Sequence, residues 1–241
     1  MRSVVGVLKS ALIATKFAGS ARVRVPYGVA ASRKFGAAAS TATPACWNCE
    51  KKSVLKQHMI CSECGHLQDV DAAINYFELL SFPTNFNLEG QQLTQRFRQL
   101  QTLVHPDKFS NKTSREQNNS ADWSSLINKA YKTLAMPIER GQYLLQLEGQ
   151  QMPQDNSTLN KEFLMAMMER NEEVEEAEDS TELDKLNAQI VRELEALVQK
   201  LGIQFEAKDL ASVKGTLVEM KYLLSIQASI KQKQQSLLGG S

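Results

Sequence analysis

The sequence predicts a mostly α-helical chain, with a helical hairpin in its middle and a three-helix bundle at its C-terminal end. A small four-cysteine module precedes both. Three observations carry this prediction. All four cysteines fall within residues 46–64, as two Cys-x-x-Cys pairs. Apolar residues recur at a period near 3.6 through the middle and the C-terminal part of the chain. Prolines 83, 106 and 137 and Gly202 stand between those patterned stretches, where helices stop.

Composition narrows the class. Hydrophobic residues make up 42% and charged residues 23% of 241, a globular balance that excludes wholesale disorder. No run of eighteen apolar residues occurs, so no membrane span is expected. A net charge of +1 supplies no basic field for nucleic acid.

The charge is segregated, however. Before Glu50 there are seven basic residues (Arg2, Lys9, Lys16, Arg22, Arg24, Arg33, Lys34) and no acidic one. An Arg- and Ser-containing, acid-free N-terminus reads as an organelle transit segment, placed at residues 1–40; a disordered tail is the alternative. Leaving out those seven reduces 28 basic residues to 21 against 27 acidic, so the remaining chain is acidic, near −6.

Residues 41–70 form the cysteine module. Cys46-Trp-Asn-Cys49 and Cys61-Ser-Glu-Cys64 are separated by eleven residues. Two such turns can aim four soft thiolates at one tetrahedral ion, and Gly65 follows Cys64 where the backbone must open toward sulfur. Structural zinc is the expected occupant, and an iron centre of rubredoxin type has similar spacing. Disulfides need an oxidising compartment, and a redox Cys-x-x-Cys usually stands alone. Four thiolates complete the coordination, so His58 and His66 are expected at the surface. A closed site leaves no position for a substrate water, so stability is expected here and catalysis is not.

In the middle, residues 74–80 carry apolar side chains at helical spacing. Leu93, Phe97, Leu100 and Val104 make one stripe over residues 88–104. That helix must stop at His105, because Pro106 disfavours helical geometry in the residue before it. Polar residues 110–120 read as a loop. A further helix over 121–136 turns Trp123, Ile127, Ala130 and Leu134 inward, and Pro137 closes it.

His105-Pro106-Asp107 between two amphipathic helices resembles the J domain of DnaJ-type co-chaperones. Leu126-Ile-Asn-Lys-Ala-Tyr-Lys-Thr-Leu134 and Arg140-x-x-Tyr143-Leu-Leu145 fit the same family, and the domain is set at residues 71–146. Tyr76-Phe-x-Leu79, with Pro83-x-x-Phe86-x-Leu88, is similar to the HscB branch, the iron–sulfur co-chaperones. Zinc knuckles ahead of the J domain resemble the metazoan mitochondrial form, and the resemblance covers essentially all of the chain after the transit segment. It implies docking on a DnaK-type mitochondrial chaperone, whose ATPase the His105-Pro106-Asp107 corner would trigger by contact. Arg96, Arg98 and Lys108 would meet an acidic patch on that chaperone. Gln95, Gln99 and Gln101 replace the denser basic run of many J domains, which fits a dedicated partner or a modest affinity for a general one.

Residues 147–158 read as a linker, and the bundle follows at 159–236. Ser157 or Thr158 would cap a helix over 159–177, helped by Glu162. A second helix covers 181–201 and ends at Gly202, and a third covers 205–233. Leu183, Leu186, Ile190, Leu194, Leu197 and Leu201 form one stripe; Leu210, Val213, Leu217, Met220, Leu224 and Ile230 form another. In the first helix Leu164, Met168, Glu172 and Glu176 recur every four residues beside Met165 and Glu169, grading one face from apolar to acidic. From the residues alone, core packing plus a solvated acidic face explains this equally well. The resemblance implies more: these positions, with Tyr222 on the third helix, match the HscB face that docks an iron–sulfur cluster scaffold protein.

The expectation is therefore a co-chaperone of iron–sulfur cluster assembly in the mitochondrial matrix, with room for a cytoplasmic pool. Recipient iron–sulfur proteins and a second copy of the chain are further candidate partners; nucleic acid and membrane are not expected. The chain is not expected to be an enzyme, since no nucleophile or second base is patterned around His105. The rival readings are a J-type redox or iron-carrying protein using the four-cysteine site, and a general holdase.

Overall fold

Side-chain caps and prolines open most of the helices and set the architecture. The structure, a computed structural model, describes residues 45–52, 55–56, 59–153 and 160–239. The predicted transit segment, His58, Ser157, Thr158 and Leu159 lie outside those residues.

Strands β1 (Leu55–Lys56) and β2 (Ile60–Cys61) pair antiparallel, with Leu55 opposite Cys61. Helix α1 (Tyr76–Leu79) starts where the Asn75 side chain accepts from Phe77 N at 2.9 Å. It ends as Phe82 N donates back to Phe77 O across Ser81, whose φ is +60°. Helix α2 (Gly90–Val104) buries Leu93, Leu100 and Val104 and stops at His105, as Pro106 requires. A 3-10 turn, Pro106–Phe109, leads out of it.

Helix α3 (Ser114–Ala135) begins two turns earlier than the sequence pattern predicts. Thr113 Oγ1 accepts from Glu116 N at 3.3 Å and donates to Glu116 Oε2 at 3.2 Å, an N-cap that starts a helix inside the polar stretch. Trp123, Ile127, Ala130 and Leu134 face inward as expected. Helix α4 (Pro137–Leu147) is an addition to the predicted elements. Pro137 ends α3 but also occupies the first position of α4, where its missing N–H is harmless. Residues 137–147 are thus a core helix, burying Ile138, Leu144 and Leu145, and Gly149 at φ +68° turns the chain out of it.

Helix α5 (Lys161–Glu176) is capped by Asn160, which accepts from Phe163 N at 2.7 Å. Helix α6 (Ser180–Glu206) is capped by Asp179 and runs straight through Gly202, so that glycine does not terminate it. Lys208, at φ +55°, turns the chain into helix α7 (Leu210–Gly239). Bonds from Gln234 to Asp184, Gln227 to Asn187 and Lys200 to Glu219 fix α6 and α7 antiparallel in register. With α5 packed on α7 the predicted three-helix bundle is present.

The apolar interior does not divide at residues 147–158. Met59 and Leu67 of the cysteine module share one core with Phe77, Leu80, Trp123, Leu134 and Leu145. Leu201, Val213, Leu217 and Met220 at the base of α6 and α7 join that same core. Phe86 stacks on Phe205 at 5.1 Å, and the Arg140 guanidinium lies 4.8 Å above the Phe86 ring. Burial pushes the Arg140 pKa down, and its Nη1 donates to Leu134 O. A second core, holding Met167, Val174, Leu183, Ile190, Leu223, Ile226 and Ile230, fills the outer part of the bundle.

Candidate functional sites

The four-cysteine site is built by the two predicted turns. In the first, Glu50 N donates to Cys46 O at 2.9 Å and Glu50 takes φ +58°; in the second, Gly65 N donates to Cys61 O at 3.0 Å at φ +73°. The sulfurs of Cys46, Cys49, Cys61 and Cys64 lie within 4.8 Å of one another. The separations are 3.5 Å for Cys46–Cys64 and 3.9 Å for Cys49–Cys61. A tetrahedral ion with metal–sulfur bonds of ~2.3 Å would space its ligands ~3.8 Å apart. The four thiols fit a metal ion.

Their acid–base chemistry supports the same conclusion. Burial pushes the Cys46 thiol up, but donors from the backbone of Cys49 and Asn48, and the Cys64 and Cys49 thiols, hold it below the ordinary value. At Cys49 the Lys51 N–H pulls the other way, yet burial and the thiols of Cys46, Cys64 and Cys61 push it up to about 12. A thiolate is thus favoured at Cys46 and resisted at Cys49, and a cation at the centre would relieve that resistance. His66 is half-buried against the edge of Trp47, at 5.5 Å and 88°, less exposed than the sequence suggests.

The module sits directly on α3. Trp47 Nε1 donates to Leu67 O at 2.8 Å and Trp123 Nε1 donates to Gln68 O at 2.8 Å. Arg115 grips Asp69 through two nitrogens and lies 4.6 Å over the Trp47 ring. That guanidinium holds the Asp69 carboxyl below the usual range.

At the His105-Pro106-Asp107 corner, His105 Nδ1 accepts from Asp107 N at 3.3 Å and lies 3.4 Å from Asp107 Oδ2. The Asp107 side chain is 89% exposed. Behind the corner, Ser120 Oγ donates to Val104 O at 2.6 Å, and Gln117 Nε2 donates to Ser110 O and Lys112 O. A groove of about 610 Å³ runs alongside, lined by Phe97, Arg98, Gln101, Thr102, His105, Asp107 and Lys108. Arg98 and Lys108 are therefore brought to the corner. Arg96 is not: its Nη2 donates to Ser81 Oγ at 2.8 Å, away from the groove.

On α5, packing separates the methionines. Met167 is buried, whereas Met165 is 53% and Met168 64% exposed. Leu164 is half-buried, and Glu169, Glu172 and Glu176 are exposed on the same outer side. Arg170 fixes the helix by two 2.7 Å bonds to Glu193 on α6. Tyr222 is half-buried and meets Phe163 edge-on at 6.0 Å. Met165, Met168, Glu169, Glu172 and Glu176 thus share the outer side of α5, and core packing does not account for Met165 or Met168, whereas Tyr222 packs with Phe163 on the outer core. Trp47, Gln68, Arg115, Gln117, Asn119 and Ser120, which position the first two sites, do not stand out in the sequence. The Thr113-x-x-Glu116 pattern is the signal that could have found the last four.

Residues 159–231 match the family described as the HSCB C-terminal oligomerisation domain. The iron-sulfur cluster co-chaperone protein HscB of Mus musculus is 34% identical over 198 residues, 81% of this chain and 85% of its own. The crystal structure of human co-chaperone protein HscB superposes with a TM-score of 0.73 at 33% identity, covering 79% of this chain and 98% of that one. Chaperone HscB from Vibrio cholerae superposes with a TM-score of 0.61 at 28% identity, over 68% of this chain and 99% of that one.

Proposed function

Because this chain belongs to the HscB family of iron–sulfur cluster co-chaperones, we propose that it binds a cluster scaffold protein and presents it to a DnaK-type ATPase. The observation that carries the reading is a pair of surfaces that packing leaves unused. One is the exposed corner His105-Pro106-Asp107 with Arg98 and Lys108 beside it. The other is the Met165, Met168 and Glu172 face of α5. The corner opens a 3-10 turn anchored by buried Phe109, and the α5 face lies opposite buried Met167 and Val174, so neither needs to unfold to be reached.

The chemistry suits each partner. His105 and Asp107 offer hydrogen bonds and charge from a backbone that Pro106 stiffens, and Arg98 and Lys108 would steer an acidic surface toward it. Flexible methionines beside carboxylates can adapt to an apolar patch rimmed by basic groups. Both roles are contact roles; the hydrolysis belongs to the ATPase. Arg96, held by Ser81, would act indirectly, and Tyr222 would border the scaffold face beside Phe163. Cys46, Cys49, Cys61 and Cys64 would together hold zinc, which supplies folding energy and no reaction step. The acid-free N-terminus supports delivery to the mitochondrial matrix, and among the described residues no helix is long and apolar enough to cross a membrane.

ATPase stimulation measured with and without scaffold tests the proposal. His105→Gln is expected to abolish stimulation while scaffold binding persists. Retained stimulation would contradict the assignment. A general holdase would bind many denatured proteins with equal strength, and an iron-carrying protein would show a coloured, reducible centre.

A further inference from the structure

We propose that Arg115 and Asn119 are positioning residues that make the order of the His105-Pro106-Asp107 loop depend on a metal held by the four-cysteine site. Two adjacent stripes on the first half of α3 carry the inference. Arg115, Asn119 and Trp123 follow one another at four-residue spacing and all reach the cysteine module. Arg115 holds Asp69 and covers Trp47; Asn119 Nδ2 donates to Leu67 O at 3.2 Å and Asp69 Oδ1 at 3.0 Å; Trp123 holds Gln68 O. Gln117, Ser120 and Ser124 form the neighbouring stripe and reach the loop and the end of α2. Gln117 holds the carbonyls of Ser110 and Lys112, Ser120 holds that of Val104, and Ser124 Oγ donates to Gln101 Oε1 at 2.9 Å.

The helix between these stripes has little strength of its own. Five of the nine residues 114–122 are Ser, Asn or Asp, against Arg115, Glu116, Gln117 and an exposed Ala121, and no larger apolar side chain is present. Such a segment has weak intrinsic helicity and relies on what it docks against. Its dock comes from both cysteine turns: Trp47 lies between Cys46 and Cys49, and Leu67 to Asp69 follow closely after Cys64. With the four sulfurs drawn to one ion, the two halves of the dock are held together. Without it, the two turns have no common centre, and the start of α3 loses its support. Fraying there releases Gln117 from the loop.

Hydrogen exchange on the full chain tests this with no chaperone present. The coupling rests on reading His105–Asp107 as the working corner, but exchange reports the coupling alone. Its failure is therefore distinct from failure to stimulate an ATPase. Removing metal with a chelator is expected to raise exchange in residues 108–120 about tenfold or more, with α5 to α7 unchanged. Arg115→Ala with Asn119→Ala is expected to give the same local rise while metal content stays at one ion per chain. Arg115→Lys alone, which keeps charge over Trp47, is expected to restore most of the protection. Unchanged exchange at 108–120 after chelation overturns the proposal. So does a double variant that keeps its metal and its loop protection. If chelation unfolds the whole chain, the metal-loaded double variant decides.

Discussion

The backbone of Gly141 on α4 approaches Leu217 on α7 so closely that a Cβ added there would lie 2.7 Å from Leu217 Cδ2. Leu217 is fully buried in the core that joins the middle of the chain to the bundle, so it has no room to retreat. A similar clash stands at Gly202, where a Cβ would lie 2.7 Å from Asn87 Oδ1. Asn87 is exposed, however, and its amide can swing into solvent.

The two glycines should therefore respond differently. Gly141→Ala gains up to ~1 kcal/mol of helix propensity but overpacks the core by ~1–3 kcal/mol, so a net loss is expected. Gly202→Ala keeps the propensity gain and loses only the exposed Asn87–Glu206 bond of 3.0 Å, so a neutral or slightly stabilising effect is expected. Urea unfolding of the full chain measures both. Equal effects would mean that the contact between α4 and α7 is looser than it looks.

Adjacent methionines on α5 separate packing from binding. Met167→Ala should cost on the order of 2–3 kcal/mol, because its side chain is buried in the outer core. Met168→Ala should change stability by less than ~0.5 kcal/mol and weaken scaffold binding instead. Thermal unfolding and a binding titration on the same two variants separate these outcomes. A destabilised Met168→Ala protein would return that face to the core.

Acid should loosen the contact between the cysteine module and α3 through Asp69. Its folded pKa is depressed, chiefly by the Arg115 hydrogen bonds. The bridge therefore contributes fully above the ordinary carboxylate value of about 4 and is lost as pH falls through the lower folded value. Both side chains are half-exposed, so the contribution is small. Trp47 and Trp123 both bond to this junction, so their fluorescence should report it. Asp69→Asn should remove that part of the acid transition, and an identical acid profile would exclude the bridge as its source.

Much of this was legible because apolar spacing writes it directly. The stripes of α2, α6 and α7, the stop at His105 and the two cysteine turns needed no tertiary information. Polar burial is what periodicity misses. Glu116, Asn119 and Ser120 face inward at the start of α3, so the segment looks like a loop to any reading that counts apolar residues. Proline and glycine misled in the same way. Pro137 opens a helix as it closes another, and Gly202 permits close approach inside α6 instead of ending it. At the candidate sites the residue types were visible, but the neighbours that aim them come from elsewhere in the chain. Arg96 and Arg98 are two positions apart, and only packing sends one to Ser81 and the other to the groove.

Helix α7 contributes Val213, Leu217 and Met220 to one core and Leu223, Ile226 and Ile230 to the other, without a break. Thirty residues of helix form a rod about 45 Å long. It works as a strut: the distance from the Met168 face of α5 to Asp107 is set by packing, not by the length of chain between α4 and α5. That connection could be lengthened with the spacing intact, so the two proposed contact surfaces would keep their separation.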